Sequence, residues 1–188
     1  MRHGTCGKQS RAHGIIIWIC CISAAVVIAM ALRLFVFELT DVNGKSMEPT
    51  LASSEMIFVE KISRYSGDIN RGDIVIVQYP ELDDTYVKRI IGIPGDRIAI
   101  KDGALYLNGD KMSESYIKEP MNYSMEETTV PKGSYYVMGD NRNMSIDSRT
   151  VGALPKDMII GHAVFVVFPL SEFGRGIASE HATTASEP

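Results

Sequence analysis

The sequence predicts an all-β protein, a coiled antiparallel sheet or partial barrel, that follows one N-terminal transmembrane helix. Three observations lead to this prediction. Residues 15–32 form an apolar run without a charged residue. Beyond Glu38 the chain is divided into short stretches rich in β-branched and aromatic residues, which are typical of strands. Asp102-Gly103 and Asn108-Gly109 separate such stretches and are strong signals of hairpin turns.

The apolar run is long enough to cross a bilayer. As a helix, residues 15–32 extend about 27 Å, close to the roughly 30 Å thickness of the hydrocarbon core. We therefore predict a transmembrane anchor over residues 14–37. Basic residues precede the run, namely Arg2, Lys8 and Arg11. By the positive-inside rule, residues 1–13 then lie in the cytoplasm and the following domain is extracytoplasmic.

A cleavable secretory signal is the alternative interpretation of the same run. Ala29-Met30-Ala31 has the small-x-small form of a cleavage site. However, the run is longer than the apolar core of a secretory signal, and these alanines would lie at membrane depth. The anchor is favoured, and processing near Ala31 is left open.

The domain after the anchor is predicted to span residues 38–170. Its strand-like stretches are 55–60, 73–79, 85–91, 97–100, 104–107, 134–138 and 158–168. Residues 113–132 show no periodicity and are predicted to form a loop or a flap on the substrate side. Residues 171–188 are small and polar, which predicts a disordered tail.

Charge and cysteine usage narrow the classes of function. The chain carries a formal net charge of −4, although residues 1–37 contain basic residues and no acid. An acidic domain repels phosphates, which excludes nucleic acid as a partner, whereas the basic end suits an anionic membrane surface. No cysteine follows Asp41, so the domain is expected to fold without disulfides. Metal-ligand spacings are absent from the sequence, and neither a metal nor another cofactor is expected.

A serine and a lysine are the candidates for chemistry. Ser46 lies in the turn-rich segment 43–51, and a serine hydroxyl needs a base to become a nucleophile. His162 is the one histidine inside the domain, and its apolar setting is better explained by packing. Lys88 lies among β-branched residues, where desolvation would lower the pKa of its amine. A decrease of roughly 3 units, about 4 kcal/mol, would make the amine substantially neutral at pH 7.

Three motifs in order then carry a resemblance to a known family. They are Ser46-Met47-x-Pro49-Thr50, Lys88-Arg89-x-x-Gly92-x-Pro94-Gly95-Asp96 and Gly139-Asp140-Asn141-Arg142-x-x-Ser145-x-Asp147-Ser148-Arg149. Behind a single span, this arrangement closely resembles type I signal peptidase, the bacterial leader peptidase with a Ser/Lys dyad. The resemblance covers roughly residues 14–170 and is closest to the single-span form of Gram-positive bacteria.

The resemblance implies a role for each matching residue. Ser46 would be the nucleophile and Lys88 the general base, while Ser145 would form a hydrogen bond with the lysine amine. Gly44 occupies the place where part of the family has a serine that stabilises the oxyanion, so the second oxyanion donor is uncertain. A structural charged cluster would be formed by Asp140, Arg142, Asp147 and Arg149. Substrate-binding positions would be Val42, Met47, Leu51, Tyr86 and Val87, for which an ordinary core role is the alternative.

Elementary electrostatics restricts the charged cluster. A carboxylate in contact with Lys88 would stabilise the ammonium and prevent it from acting as a base. We therefore expect the acids of the cluster to be paired with its arginines. The stretch Arg142-Asn143-Met144-Ser145 departs from the more common Arg-Asp-Asn-Ser by losing one acid, which should have little effect.

The implied function is cleavage of N-terminal signal peptides from exported preproteins after small-x-small sites. The implied partners are preproteins and the lipid bilayer, with the enzyme close to the protein export translocon. One alternative is a catalytically silent, membrane-tethered β module that binds extended peptides. Another is a self-cleaving Ser/Lys protease of the repressor type, but residues 1–37 resemble no DNA-binding domain. General secretion and a dedicated substrate set, such as pilus subunits, remain equally compatible with the sequence.

Overall fold

The computed structural model describes residues 6–79, 84–177 and 183–184, and only the backbone of residues 6–12. The chain divides into two compact units, Met1–Val36 and Phe37–Pro188. In the first, helix α1 spans Cys6–Phe35. Its segment His13–Phe35 has a mean hydropathy of 2.9 and is long and apolar enough to cross a membrane. The helix begins before the predicted anchor because residues 6–12 contain no proline that would end it.

The second unit is built almost entirely from strands. These are β1 (Phe37–Asp41), β2 (Met56–Glu60), β3 (Ile74–Gln78), β4 (Thr85–Gly92), β5 (Arg97–Lys101), β6 (Ala104–Leu107), β7 (Asp110–Ser113), β8 (Met125–Thr129), β9 (Ser134–Met138), β10 (Leu154–Pro155), β11 (Ile159–Phe168) and β12 (Thr183–Thr184). Two short helices accompany them, α2 (Ile62–Ser66) and α3 (Ser148–Val151). Single 3-10 turns cover Arg142–Met144, Lys156–Met158 and Leu170–Glu172.

The strands form two antiparallel sheets. The larger sheet has the order β1-β2-β11-β3-β4-β9-β10, and the smaller has the order β12-β7-β6-β5-β8. β4 lies inside the larger sheet, with Lys88 opposite Val75 of β3 and Arg89 opposite Met138 of β9. The predicted all-β class, with a curled antiparallel sheet behind one apolar helix, is confirmed.

Two tight turns shape the smaller sheet as predicted. Asp102-Gly103 connects β5 to β6, and Asn108-Gly109 connects β6 to β7. All four residues have positive φ angles, of 49° and 76° in the first turn and 57° and 101° in the second. A two-residue hairpin of the primed type requires this backbone, which explains why Asn, Asp and Gly occupy these positions.

Two of the three buried apolar clusters lie on the two faces of β3, and the third lies around β5 and β6. Ile74 and Ile76 pack into one buried cluster, and Val75 and Val77 pack into another. Because successive side chains of a strand point to opposite faces, a strand buried on both sides reads as a continuous apolar run. β4 continues this sheet, so its central residues are buried on both faces as well.

The structure corrects the prediction for residues 113–132. This segment contains β8, which pairs with β5, and it places Tyr116 in the interior with 5% exposure. β8 was missed because its sequence, Met-Glu-Glu-Thr-Thr, is mostly exposed and lacks an alternating apolar pattern.

The structure also departs from the predicted disordered tail at residues 171–177. The Ile177 N–H donates to the Val164 carbonyl, and the Ile177 side chain is buried. Arg175 donates to Glu55 at 2.6 Å. The polar composition of this segment gave no signal that the chain returns along β11. Backbone hydrogen bonds and the ion pair of Arg175 with Glu55 hold it there. The rest of the predicted tail lies outside the described residues, apart from β12.

Candidate active site

The structure brings the hydroxyl of Ser46 and the amine of Lys88 together. Lys88 Nζ donates to Ser46 Oγ at 2.9 Å, although the two residues are far apart in sequence. Lys88 extends from the middle of β4, and Ser46 lies in the loop between β1 and β2. Only 1% of the Lys88 surface is exposed. The amine is therefore held by a rigid sheet and shielded from water.

Burial lowers the pKa of the Lys88 amine from 10.5 to about 8. The charges of Asp147 and Asp140 raise the pKa, and that of Arg149 lowers it, but these effects are smaller than desolvation. Among the residues that the structure describes, no carboxylate forms an ion pair with Lys88. The Tyr86 ring lies 5.6 Å from Nζ. An amine in this setting is partly neutral near pH 7, as a general base requires.

The loop that carries Ser46 is fixed on both sides of the serine. After it, the buried side chains of Met47 and Leu51 enter the core, and the Leu51 N–H donates to the Met47 carbonyl at 3.0 Å. The Ser46 carbonyl accepts the Asn141 N–H at 3.0 Å. The apolar residues of the first motif thus hold the turn in place, and the third motif supports it from beside β9.

Gly139 allows this close approach. A Cβ atom built at Gly139 would lie 2.5 Å from the Ser46 carbonyl oxygen and 2.4 Å from Ser145 Oγ. No side chain fits into that space. The Gly139 N–H donates to Asp147 at 3.0 Å. The glycine of the third motif is therefore required by the proximity of Ser46 and Ser145, a role that the sequence alone did not indicate.

The predicted hydrogen bond between Ser145 and the Lys88 amine is not formed. Ser145 Oγ is buried and has no hydrogen-bond partner among the described residues. The residue lies in extended backbone after the Arg142–Met144 turn, and its side chain packs against Gly139. Ser145 is therefore close to the Ser46 loop without being tied to the amine.

Both acids of the charged cluster are paired with an arginine and not with Lys88, but only Asp147 has an arginine of the cluster as its partner. Asp140 binds Arg89 through two hydrogen bonds of 2.9 and 2.8 Å. Asp147 binds Arg149 through two hydrogen bonds of 2.7 Å. Both carboxylates are fully buried. Their negative charges are thus compensated by guanidinium groups instead of by the amine.

Arg142 has a partner that the sequence did not reveal. Its guanidinium forms hydrogen bonds of 2.7 and 2.5 Å with Glu114, whose side chain is 3% exposed. Tyr116 donates to the same carboxylate, and its ring lies 4.1 Å from the Arg89 guanidinium. Glu114 and Tyr116 belong to the segment predicted to be a loop or flap, where the lack of periodicity gave no signal of burial.

The backbone N–H of Ser46 is the donor that this loop offers to an oxyanion. Gly44 is exposed, has a φ of 94° and offers no side-chain donor. Within the described part of the chain, the Ser46 N–H donates no hydrogen bond. The backbone N–H of the serine is therefore available to a substrate oxygen.

Four of the five predicted substrate-binding residues lie in the core. The exposed fractions are 2% for Val42, 1% for Met47, 0% for Leu51 and 8% for Val87. They belong to one apolar cluster, which matches the alternative core interpretation. Tyr86 is only partly buried and packs against another cluster. Leu51 therefore offers no surface to a substrate, and the other three buried residues offer only a small part of theirs.

Fold and site define a class of protein: a β domain, preceded by an apolar helix, that holds a serine hydroxyl against the amine of a buried lysine. The profile of the family described as "Signal peptidase, peptidase S26" matches residues 15–168. The chain therefore belongs to the signal peptidase family.

Several proteins similar to this chain are named signal peptidase I. A "Signal peptidase I" from Bacillus licheniformis is 44% identical over 82% of this chain and 89% of its own length. "Signal peptidase I T" from Bacillus subtilis is 43% identical over 82% of this chain and 86% of its own length. A crystal structure of a signal peptidase I from Enterococcus faecalis is 32% identical and covers 50% of this chain and 95% of its own, with a TM-score of 0.44.

Proposed function

We propose that this protein is a membrane-anchored serine endopeptidase that removes signal peptides from exported preproteins, cutting after small-x-small sites. One observation carries the proposal: within a chain of the signal peptidase family, the Lys88 amine donates to the Ser46 hydroxyl at 2.9 Å. Ser46 is the nucleophile and Lys88 the general base.

The chemistry follows from a neutral amine beside a hydroxyl. Lys88 accepts the Ser46 proton while Oγ attacks the carbonyl carbon of the scissile peptide bond. The ammonium then returns a proton to the leaving amine, and an acyl-enzyme ester remains on Ser46. The neutral amine next activates a water molecule, which hydrolyses the ester. The lowered pKa of Lys88 supplies the neutral form needed in the first and last steps.

The oxyanion of the tetrahedral intermediate is bound by the Ser46 N–H. This proposal is supported by the donor's lack of another acceptor and by its position on the nucleophile itself. A Cβ atom built at Gly44 would meet no described atom within 4 Å, so no side chain fills this part of the loop.

Ser145 is proposed to assist the lysine during the reaction. A buried hydroxyl without a partner costs free energy, about 1–3 kcal/mol, which favours a partner acquired during turnover. When Lys88 has taken the proton, its ammonium has donors to spare, and Ser145 Oγ, which lies beside Gly139 as the Ser46 carbonyl does, can accept one of them. The charged cluster is proposed to act structurally, because its ion pairs are complete.

The substrate is proposed to bind as an extended strand beside the dyad. Backbone hydrogen bonds would hold it, and small side chains would fit against the exposed parts of Tyr86, Val87, Val42 and Met47, with Leu51 supporting them from the core. The basic residues before the apolar helix support a cytoplasmic N-terminus and an extracytoplasmic domain. That orientation would place the site on the side of the membrane where preproteins leave the translocon.

The test removes each dyad side chain from the full-length protein in detergent. We expect Ser46→Ala and Lys88→Ala each to lower kcat for preprotein cleavage by at least about 1000-fold, because nucleophile and base act as one unit. Lys101→Ala is the matched control, since Lys101 Nζ also lies over a tyrosine ring, Tyr106, at 5.3 Å but on an exposed residue. Full activity of either dyad variant would disprove the mechanism. Peptide binding without any cleavage by the unaltered protein would instead favour the silent β module.

A further inference from the structure

We propose that Asn141 is a positioning residue that orients the Ser46 N–H toward the oxyanion. This inference rests on the proposed function and assigns a role to a residue of the third motif that does not touch the reacting atoms.

Asn141 holds the Ser46 loop by two hydrogen bonds to consecutive carbonyl groups. Its backbone N–H donates to the Ser46 carbonyl at 3.0 Å. Its side-chain Nδ2 donates to the Lys45 carbonyl, also at 3.0 Å. The residue is 1% exposed, so neither bond competes with bulk water. Oδ1 is buried without a partner among the described residues, so the side chain acts here only as a donor.

The bond to the Lys45 carbonyl acts on the oxyanion donor through the peptide plane. The Lys45 C=O and the Ser46 N–H belong to the same trans peptide unit and point in opposite directions. Because Asn141 holds the Lys45 carbonyl toward itself, the Ser46 N–H is held pointing away from Asn141. Hydrogen bonding to the carbonyl also polarises the N–H of that peptide group and strengthens it as a donor.

A second hydrogen bond also restrains the Lys45 carbonyl. The Lys45 carbonyl also accepts the Glu48 N–H at 3.2 Å, as part of the local turn. That bond lies within the loop and moves with it, whereas Asn141 belongs to the segment after β9. Asn141 is thus the link between the orientation of this peptide plane and the sheet. Without it, the turn persists but its tilt is less restricted.

The experiment compares Asn141→Ala and Asn141→Asp with the unaltered full-length protein. Removing a whole oxyanion donor costs about 100-fold to 1000-fold in kcat, and a donor that is only less well oriented costs less. We expect both variants to lower kcat about tenfold to 100-fold, with KM within about twofold. We also expect Asn141→Ala to keep the inflection of the rate profile near pH 8, because the Lys88 amine is not altered.

A transition-state analogue provides a readout that general loosening would not reproduce. A peptide boronate that forms a tetrahedral adduct on Ser46 should bind Asn141→Ala more weakly, by the same factor as the loss in kcat. In a Ser46→Ala background, where no adduct forms, binding of a substrate peptide should be unchanged by Asn141→Ala. That result would also show that the variant folds.

Asn143→Ala is the matched control. Asn143 is two residues away and also makes two hydrogen bonds, to the Pro120 carbonyl at 3.0 Å and from the Asn122 N–H at 3.1 Å. These bonds hold the 113–132 segment instead of the Ser46 loop, so we expect kcat within about threefold. The inference is overturned if Asn141→Ala keeps kcat within threefold, or if its loss appears in substrate-peptide binding. Full activity of Ser46→Ala would instead refute the proposed function.

Discussion

Lys88 and Arg89 are neighbours on β4 and are both almost fully buried, but among the described residues only Arg89 has a carboxylate as its partner. Arg89 lies against Asp140 with two hydrogen bonds, and its Nη1 donates to the Gly72 carbonyl at 2.9 Å. Lys88 points to the other face of the strand and has the Ser46 hydroxyl as its hydrogen-bond acceptor. They differ both in the chemistry of the cation and in the partner that it contacts.

A buried amine without a carboxylate partner can lose its proton, whereas a guanidinium stays charged with or without one. A carboxylate within hydrogen-bond distance compensates a desolvated guanidinium, whereas a hydroxyl compensates an ammonium poorly. The strand therefore places a permanent cation and a titratable base side by side. The permanent cation binds Asp140 and keeps that carboxylate away from the base.

Lys88→Arg tests this contrast with the largest expected effect. An arginine at this position keeps a positive charge, because its guanidinium does not lose a proton at the pH of the assay. We expect kcat for preprotein cleavage to fall by at least about 1000-fold. Lys101→Arg is the control: Lys101 lies on β5 and is exposed, so this substitution should leave kcat unchanged. Substantial activity of Lys88→Arg would show that a neutral amine is not required.

Asp140→Asn tests the other half of the contrast. The substitution leaves the buried Arg89 guanidinium without its carboxylate, and breaking such a pair costs about 3–5 kcal/mol of unfolding free energy. Urea titration followed by circular dichroism measures the change. Glu127→Gln breaks the exposed pair of Arg97 and Glu127, with side chains 51% and 46% exposed, and should cost less than about 1 kcal/mol. Equal effects in the two variants would show that burial of the pair is irrelevant.

The pH dependence of kcat/KM gives the smallest effect and the most specific shape. The folded pKa of Lys88 is lowered to about 8, so the neutral fraction increases as the pH rises. Below the pKa, the rate should increase about tenfold per pH unit, and it should level off above about pH 9. Measurements from about pH 6 to about pH 10 check this. A rate independent of pH over that range would contradict a titrating lysine base.

Much of the fold could be predicted because its signals are local. The apolar helix, the long strands and both Asx-Gly hairpins depend on short patterns of residue type. β8 and the return of the chain to Ile177 could not be predicted in this way, because their residues are mostly polar and their pairing is long-range.

The site shows the same division. The pairing of Ser46 with Lys88 followed from the family motifs. Electrostatics predicted that the acids pair with arginines of the cluster, which holds for Asp147, whereas Asp140 binds Arg89 of β4. The partner of Arg142 did not, because Glu114 lies in a segment without periodicity. The predicted bond from Ser145 to the amine is not formed, and the hydroxyl lies beside Gly139 without a partner among the described residues. Contacts of this kind depend on the local path of the backbone, which motifs do not encode.

Direct titration of the Lys88 amine is the most immediate test of the central claim. In protein labelled with ¹³C at lysine Cε, the Lys88 resonance can be assigned by its loss in Lys88→Arg and followed against pH. The account predicts a midpoint at about 8, well below the usual 10.5. A midpoint at or above 10.5 would show that the amine remains charged and is not the base.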